Sequence, residues 1–478
     1  MLFNSFEFAI FFPIVLALYF TIPYGWRVPM LLIASCIFYM AFIPVYILIL
    51  FITIIIDYFA GIYIERSSGS RKKYLLYGSV IATCLVLFVF KYFNFFNQNL
   101  EALADFIGWN YPVSALNIIL PIGLSFHTFQ SLSYVIEVYR GHQKAERNFI
   151  TYSLYVMFFP QLVAGPIERP QNLLPQFHAK HDFDYARICS GLKRIAWGLF
   201  KKVVIADRLA LYVNDVYGNP AGFNGLQLTL GTFFFAFQIY CDFSGYSDIA
   251  IGSARVLGFK LMENFRRPYG AATISEFWRR WHISLSTWLR DYVYYPLGGS
   301  RVPKGRWMLN LLITFGISGL WHGSNWTYVV WGLLNGVYLV FGALTQEARG
   351  RLYRMVGLEG TIVQRIIGIA FTFALTLVAW VFFRASSLAD AYYILTHFYL
   401  GWDIHSIRTE QFLLRQLPVA FAAILFLLGI QWLQRKISIT ALVSKAPIAI
   451  RWSAYAVFVF AIILFGVYRK SEFIYFQF

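Results

Sequence analysis

Apolar stretches close to 20 residues long recur along the whole chain, and this repetition constrains the fold more than any other feature. A helix needs about 20 apolar residues to cross a bilayer. Such stretches occupy approximately residues 6–23, 28–45, 46–64, 75–92, 114–136, 225–241, 307–321, 325–344, 364–383, 412–433 and 450–468. The pattern predicts an all-α, polytopic membrane protein with roughly ten or eleven transmembrane helices.

Composition supports this interpretation. Charged residues make up 13% of the 478 residues, whereas soluble domains carry about 25%. Hydrophobic residues reach 59% and aromatic residues 20%. These shares argue against a soluble enzyme, a disordered chain or a disulfide scaffold. No linker-like composition divides the sequence, so we expect one integral membrane domain over residues 1–478.

The net charge of +17 is concentrated in short clusters between apolar stretches, near residues 66–73, 140–147 and 349–354. Lysine and arginine favour the cytoplasmic side, where they attract anionic membrane lipid. Residues 94–112 contain no lysine or arginine and are predicted to form an outside loop. We therefore expect a multi-pass protein with lipid, and no nucleic acid, as its partner.

The middle third, residues 151–306, is interrupted by proline and glycine. Irregular backbone at membrane depth is tolerated where protein buries it or a cavity is lined, so re-entrant segments are expected here. Residues 191–208 mix basic and apolar side chains, Lys201 and Lys202 among them, and predict an interfacial amphipathic helix.

Several catalytic motifs are missing from the sequence. It contains no G-x-S-x-G, HExxH, G-x-x-x-x-G-K-[ST] or G-x-G-x-x-G pattern. Its four cysteines form no CxxC pair, so neither a disulfide framework nor a metal site is predicted, and no bound cofactor is expected.

Two histidines follow a tryptophan, and one of them, His322, lies between two apolar stretches. An ionisable side chain near membrane depth is a candidate functional residue, because burying it without a partner is expensive. The alternative is a neutral histidine hydrogen-bonded between helices.

His282 lies in an aromatic and basic segment, residues 275–291. On a continuous helix, four apolar residues would form one stripe flanked by Arg279 and Arg280. The stripe comprises Trp278, Trp281, Leu285 and Trp288. The alternative interpretation is an aromatic belt with snorkelling arginines.

Asp242 and Asp248 close an apolar stretch and require partners. We expect ion pairs with the basic residues of segment 266–290 that fix a broken helix. A proton relay is the alternative.

Eight sequence blocks resemble the bacterial branch of the membrane-bound O-acyltransferase family, nearly from end to end. They are Met-Leu-Phe-Asn-Ser at 1–5, Pro-Ile-Gly-Leu-Ser-Phe at 121–126, Pro-Gln-Leu-Val-Ala-Gly-Pro-Ile at 160–167, Asp-Phe-Ser-Gly-Tyr-Ser-Asp at 242–248, Trp-His-Ile-Ser-Leu-Ser-Thr-Trp-Leu-Arg-Asp-Tyr at 281–292, Gly-Leu-Trp-His-Gly at 319–323, Phe-Phe-Arg-Ala at 382–385 and Phe-Ile-Tyr-Phe-Gln-Phe at 473–478.

The resemblance implies helices around a central funnel, with His322 as the catalytic histidine and His282 as the second histidine of the signature. Asn335 stands where some relatives place a histidine, which argues against a mechanism that needs a third one. The candidate substrate-binding residues are Arg279, Arg280, Arg290 and Asp242.

The resemblance further implies transfer of an acyl group, most simply acetyl, from a cytoplasmic thioester such as acetyl-CoA. The acceptor would be hydroxyl groups of an extracytoplasmic or cell-envelope polysaccharide, reached through a periplasmic or extracellular acyltransferase partner. Such a protein resides in the bacterial inner membrane. A neutral, desolvated imidazole suits the role of general base, and an acyl-histidine intermediate remains an alternative. D-alanyl transfer to teichoic acid from a carrier protein, and transport of a polymer or lipid without covalent chemistry, are the alternative functions.

Overall fold

A computed structural model describes residues 1–118, 120–163, 165–403, 411–437, 439–468 and 473–474. Regular structure in this part of the chain is helical. Two of the blocks noted above are described only in part, because Ala164 and residues 475–478 lie outside the described residues. The chain divides into two compact units, one formed by Met1–Ile195 with Tyr246–Glu263, the other by Ala196–Gly245 with Asn264–Phe478.

The first half of the chain contributes twelve α-helices. They are α1 (Phe6–Thr21), α2 (Tyr24–Met40), α3 (Tyr46–Arg66), α4 (Gly69–Leu87), α5 (Phe93–Phe106), α6 (Leu124–Arg140), α7 (Phe149–Met157), α8 (Phe159–Leu162), α9 (Pro170–Phe177), α10 (Tyr185–Leu199), α11 (Asp207–Gly218) and α12 (Gly225–Leu257). Two π-helical turns, Phe88–Tyr92 and Phe200–Ala206, join α4 to α5 and α10 to α11.

The second half carries the elements that build the candidate site. Its helices are α13 (Ile274–Trp278), α14 (Ile283–Leu289), α15 (Lys304–His322), α16 (Trp326–Leu344), α17 (Gln346–Met355), α18 (Ile362–Arg384), α19 (Leu388–His397), α20 (Gln411–Leu433), α21 (Ile439–Lys445) and α22 (Ile448–Phe465).

The predicted all-helical membrane fold is confirmed, but the number of spans is not. Among the described residues, six helices are long and apolar enough to cross a membrane. They are Tyr46–Arg66, Gly69–Phe106, Trp326–Leu344, Ile362–Arg384, Gln416–Leu433 and Ile448–Phe465. The segment 94–112 is helical rather than a loop for most of its length, because α5 continues the preceding helix to Phe106, and its location outside the membrane stays a prediction.

Helix α3 shows how the first unit faces lipid. Leu48, Ile52, Ile55 and Phe59 are spaced four, three and four residues apart and are all exposed, as expected for one lipid-facing stripe. The opposite face buries Asp57, which accepts hydrogen bonds from Ser79 and Thr83 of α4. A carboxyl group inside an apolar helix thus finds hydroxyl partners on its neighbour.

In the second unit, α15 and α16 form a tight helical hairpin. A Cβ atom on Gly319 would overlap the backbone carbonyl of Tyr328, and one on Gly332 would overlap that of Phe315. Glycine at both positions therefore allows the two backbones to approach closely. The hairpin turn, which includes Gly323, brings the end of α15 against α16.

The predicted interfacial helix over residues 191–208 is wrong for its second half. The π-helical turn Phe200–Ala206 buries Lys201 and Lys202, at 4% and 1% exposure, so neither side chain reaches water. Lys201 donates a hydrogen bond to Ser244 at 2.9 Å. Polar partners inside the unit hold both ammonium groups. On an interfacial helix, the lysine side chains would instead extend to water.

Candidate active site

His322 is the last residue of α15 and is 3% exposed. The chain turns at Gly323, and Asn325 caps α16 by accepting a hydrogen bond from the Thr327 backbone N–H at 3.0 Å. The hairpin therefore fixes His322 at a helix end, where its imidazole is held inside the protein rather than on a lipid-facing surface.

Three aromatic rings surround the His322 imidazole. Ring centroids lie 4.9 Å away for Trp321, 4.9 Å for Trp331 of α16 and 5.2 Å for Phe383 of α18. The interplanar angles of 72° to 88° are edge-to-face, the geometry that aromatic pairs favour. This cage orients the ring and leaves little room for bulk water.

His282 lies between α13 and α14 and has left-handed backbone geometry, with φ 41° and ψ 54°. Such values are uncommon outside glycine and often mark functional sites. The continuous helix predicted over segment 275–291 is wrong, since the chain breaks at residues 279–282. The predicted apolar residues are nevertheless all buried. They are Trp278, Trp281, Leu285 and Trp288.

Asn264 holds His282 and the start of α14 together. Its Oδ1 lies 3.2 Å from His282 Nδ1 and accepts hydrogen bonds from the Ser284 backbone N–H at 3.2 Å and from Ser284 Oγ at 2.7 Å. Its backbone carbonyl accepts from the Ile283 N–H at 2.9 Å. Sequence reasoning missed Asn264, because nothing in its spacing from residue 282 signals the contact.

The same contacts assign the tautomer of His282. The Ser284 backbone N–H can only donate, so the Asn264 atom that it contacts must be the amide oxygen Oδ1. His282 Nδ1 faces the same oxygen and must therefore donate to it. Nδ1 therefore carries the proton and Nε2 keeps a lone pair. Burial lowers the pKa of His282 to about 3, which keeps the imidazole neutral near pH 7.

The two histidines predicted from sequence lie side by side. Their ring centroids are 6.4 Å apart, and His282 also contacts Trp321 at 6.0 Å and Phe243 at 4.6 Å. Asn335, in contrast, donates a hydrogen bond to the Trp331 carbonyl of its own helix at 2.8 Å. The structure thus brings together two imidazoles that could serve one bound hydroxyl group.

A cavity of about 2710 Å³ opens beside this cluster. Arg279 and Arg290 line it, and so do three arginines of α17. The latter are Arg349, Arg351 and Arg354. The cavity extends to Ser318, one turn before His322 on α15, and to Trp278, whose ring lies 5.8 Å from Trp331. A ligand in this cavity would therefore lie about one helical turn from the aromatic cage, with arginine side chains beside its anionic groups.

Arg280 and Asp242 have other surroundings. Arg280 pairs with Glu276 and lines a second, smaller cavity. Asp242 forms an ion pair with Lys202 at 2.8 Å and accepts from the Ile474 backbone N–H at 2.9 Å, so the predicted pairing with segment 266–290 is wrong. Lys202 also pairs with Asp207 at 2.8 Å. Removing either carboxylate would leave buried charge uncompensated, so these three residues depend on one another.

Asp248 likewise departs from the prediction. It pairs with Arg194 at 2.9 Å, and the same guanidinium contacts Glu263 at 3.4 Å, all within the first unit. Both aspartates thus form ion pairs, as predicted. Their basic partners, however, come from the segment around α10 and not from segment 266–290.

Comparison with known proteins shows the family to which this chain belongs. The model of the membrane-bound O-acyltransferase family matches residues 142–388, which contain both histidines, Asn264 and the arginines of the large cavity. The chain belongs to the membrane-bound O-acyltransferase family. As a member of this family it is an O-acyltransferase, and the expected enzyme class is confirmed.

Relatives of this O-acyltransferase carry related names. The chain is 39% identical over 409 residues to "Probable alginate O-acetylase AlgI" of Azotobacter vinelandii, covering 84% of this chain and 79% of that one. It is 36% identical over 393 residues to the peptidoglycan O-acetyltransferase of Helicobacter pylori, covering 76% and 72%. The teichoic acid D-alanyltransferase of Bacillus subtilis is 27% identical over 289 residues, covering 58% and 70%.

Proposed function

We propose that this protein transfers acetyl groups from a cytoplasmic thioester, acetyl-CoA, towards hydroxyl groups of an exported or cell-envelope polysaccharide. The observation that carries the proposal is the placement of His322, in an aromatic cage beside His282 and one turn from the arginine-lined cavity. The family model crosses both compact units, so we treat residues 1–478 as one catalytic domain.

In the proposed reaction, an acceptor hydroxyl oxygen attacks the thioester carbonyl carbon. His322 removes the hydroxyl proton as the C–O bond forms, a role that typically contributes about 10²- to 10⁴-fold. The C–S bond then breaks, and the departing thiolate takes the proton from His322. The products are an O-acetyl ester and a free thiol. Transfer through an acyl-His322 intermediate divides the same bond changes into two steps.

His282 and Asn264 support this chemistry from the neighbouring position. With Nδ1–H held by Asn264, His282 presents Nε2 as an acceptor, which suits a hydrogen bond from the acceptor hydroxyl in the proposed complex. The aromatic rings exclude water, which protects the thioester from hydrolysis. Arg279 and Arg290 on the cavity wall would attract the phosphates of the donor.

The names of the relatives support a proposal for the acceptor and the acyl group. The alginate and peptidoglycan O-acetylases favour a polysaccharide acceptor and acetyl as the acyl group, and D-alanyl transfer is represented by a relative of lower identity and coverage. We propose a location in the bacterial inner membrane and a periplasmic or extracellular acyltransferase partner that completes delivery. Family membership decides against transport without covalent chemistry.

Isotope tracing in membranes tests this proposal. Inner-membrane vesicles containing the protein are given acetyl-labelled acetyl-CoA or, separately, labelled D-alanine with its activating enzyme and carrier protein. Label in alkali-labile esters of the polymer fraction is then measured. We expect label from acetyl-CoA alone. Label from D-alanine alone would replace the proposed acyl group, and absence of any ester label would contradict the proposal.

A further inference from the structure

Four arginines converge on a cavity of about 420 Å³ that the proposed reaction does not use. The residues lining it are Arg267, Arg280, Arg365 and Arg435. They come from four separate places in the chain, namely the segment before the turn Pro268–Gly270, the break between α13 and α14, the first turn of α18 and the segment after α20. The cavity therefore depends on folding of the second unit rather than on one basic stretch of sequence.

Backbone contacts hold two of these side chains in place. Arg280 Nη1 donates to the Arg267 carbonyl at 3.4 Å, and Arg267 Nη1 donates to the Gln431 carbonyl of α20 at 3.4 Å. Arg267 itself has left-handed backbone geometry, with φ 51° and ψ 62°. For a residue other than glycine, such geometry is strained and persists where the surroundings impose it.

The charges around this cavity are unbalanced. The carboxylate described beside the four guanidinium groups is Glu276, which pairs with Arg280. Burial lowers the pKa of Arg280, Glu276 opposes this effect, and the like charges of the other three arginines lower the pKa further. Gathering like charges is unfavourable unless an anion lies among them.

Guanidinium geometry indicates which anion fits. Arginine presents paired N–H donors that match carboxylate and phosphate oxygens. With one of the four charges paired to Glu276, a single carboxylate would leave a large positive excess, whereas a phosphomonoester carries about −1.5 to −2. Arg365 lines both this cavity and the large one, so a phosphate bound here would adjoin the proposed donor cavity.

We propose that Arg267, Arg280, Arg365 and Arg435 form a binding site for a phosphate group that carries two negative charges or for a diphosphate. This chemistry occurs in coenzyme A, which has a 3′-phosphate and a diphosphate, and in the headgroups of acidic phospholipids. Assigning the phosphate to the donor rests on the proposed function, whereas phosphate binding itself does not.

The experiment uses the full chain in nanodiscs of phosphatidylcholine. Binding of coenzyme A and of 3′-dephospho-coenzyme A is measured for wild-type protein, Arg365→Gln and Arg435→Gln. Both residues are exposed, so these substitutions leave packing intact. Arg71→Gln, an exposed position in the first unit, is the matched control. A parallel arm adds cardiolipin or phosphatidic acid and measures the anionic lipid that copurifies.

Loss of a hydrogen-bonded charge pair predicts that each variant weakens coenzyme A binding about 10- to 100-fold, with little change in Arg71→Gln. If the variants bind coenzyme A more weakly than the wild-type protein does, the bound phosphate comes from the donor. Unchanged coenzyme A binding with reduced anionic lipid identifies a headgroup as the source. Wild-type behaviour of both variants in both arms would overturn the proposal.

Failure of the proposed function has a different signature. A His322→Gln protein that still transfers acetyl groups would contradict the proposed chemistry while leaving phosphate binding untouched. Conversely, the arginine variants could bind coenzyme A and anionic lipid as the wild type does while transfer still depends on His322. That result would exclude the phosphate site and leave the proposed function standing.

Discussion

Replacing Asn264 by leucine removes the acceptor that joins His282 to the start of α14 while keeping a side chain of similar volume. The His282 Nδ1–H and the Ser284 backbone N–H then lose their shared acceptor, Asn264 Oδ1, inside the protein. Each buried donor left unsatisfied costs about 1–3 kcal/mol, so we expect destabilisation of about 2–6 kcal/mol. The Ser284 hydroxyl can rotate and adds little.

The same change should slow catalysis. Without Asn264, neither the tautomer nor the orientation of His282 is fixed, and a small misplacement of a catalytic group can reduce the rate about 100-fold. We expect kcat to fall by about 10- to 100-fold with little change in KM for the donor. Thermal unfolding of the purified protein, followed by tryptophan fluorescence in detergent, measures the first effect. Acetyl-transfer kinetics in inner-membrane vesicles that contain the variant and the proposed partner measure the second.

Two matched variants sharpen this test. Ser284→Ala removes the hydroxyl donor but leaves Asn264 Oδ1 with both N–H groups, so most of the stability and activity should remain. Asn264→Asp keeps the acceptor oxygens and should recover stability relative to Asn264→Leu. Wild-type Tm and kcat in Asn264→Leu would refute the positioning role assigned to Asn264.

Three further outcomes are expected. Burial lowers the folded-state pKa of His282 to about 3, below its ordinary value of 6.5, so the stability that the neutral ring contributes is present above pH 6.5 and is lost as the pH falls. The free energy of unfolding should therefore be about 2 kcal/mol lower at pH 5 than at pH 7.5, and His282→Gln should lack this difference. Gly319→Ala should destabilise the protein by about 1–3 kcal/mol, whereas Gly342→Ala should not, because a Cβ there meets open space. Equal Tm values for the two variants would contradict the close approach of α15 and α16. Arg301, Lys304 and Arg306 follow Ser300 and predict a cytoplasmic side there, whereas Glu101 is exposed near the end of α5 in a segment without lysine or arginine. In a cysteine-free background, an impermeant thiol reagent should therefore label a cysteine at Ser300 from the cytoplasm and one at Glu101 from outside. Labelling of both from one face would refute the topology.

The sequence predicts the helices well, because lipid imposes long apolar segments that are visible in the chain itself. It also marks His322 and His282, through their tryptophan neighbours and the family resemblance. The break at His282 is not visible, since the residues around it have an apolar stripe that suits a continuous helix equally well. Asn264 escaped notice for the same reason, because its contact exists only once the chain turns at residue 282.

Ion pairs between distant segments were the least predictable feature. Asp242 has a basic segment closely following it in sequence, yet its partner is Lys202, which a π-helical turn places inside the second unit. The four-arginine cavity likewise joins Arg267 to Arg435. Such pairings depend on how helices pack, and hydropathy or charge spacing along one segment carries no information about them.

The central claim is that His322 carries the proton in acyl transfer, and its most direct test is acetyl transfer to polymer in inner-membrane vesicles that contain His322→Gln together with the proposed acyltransferase partner. His178→Gln, at a half-exposed histidine of the first unit, is the matched control. We predict that His322→Gln keeps the wild-type Tm and binds coenzyme A normally but transfers acetyl at least about 100-fold more slowly, whereas His178→Gln retains activity. Transfer by His322→Gln at the wild-type rate would contradict the account.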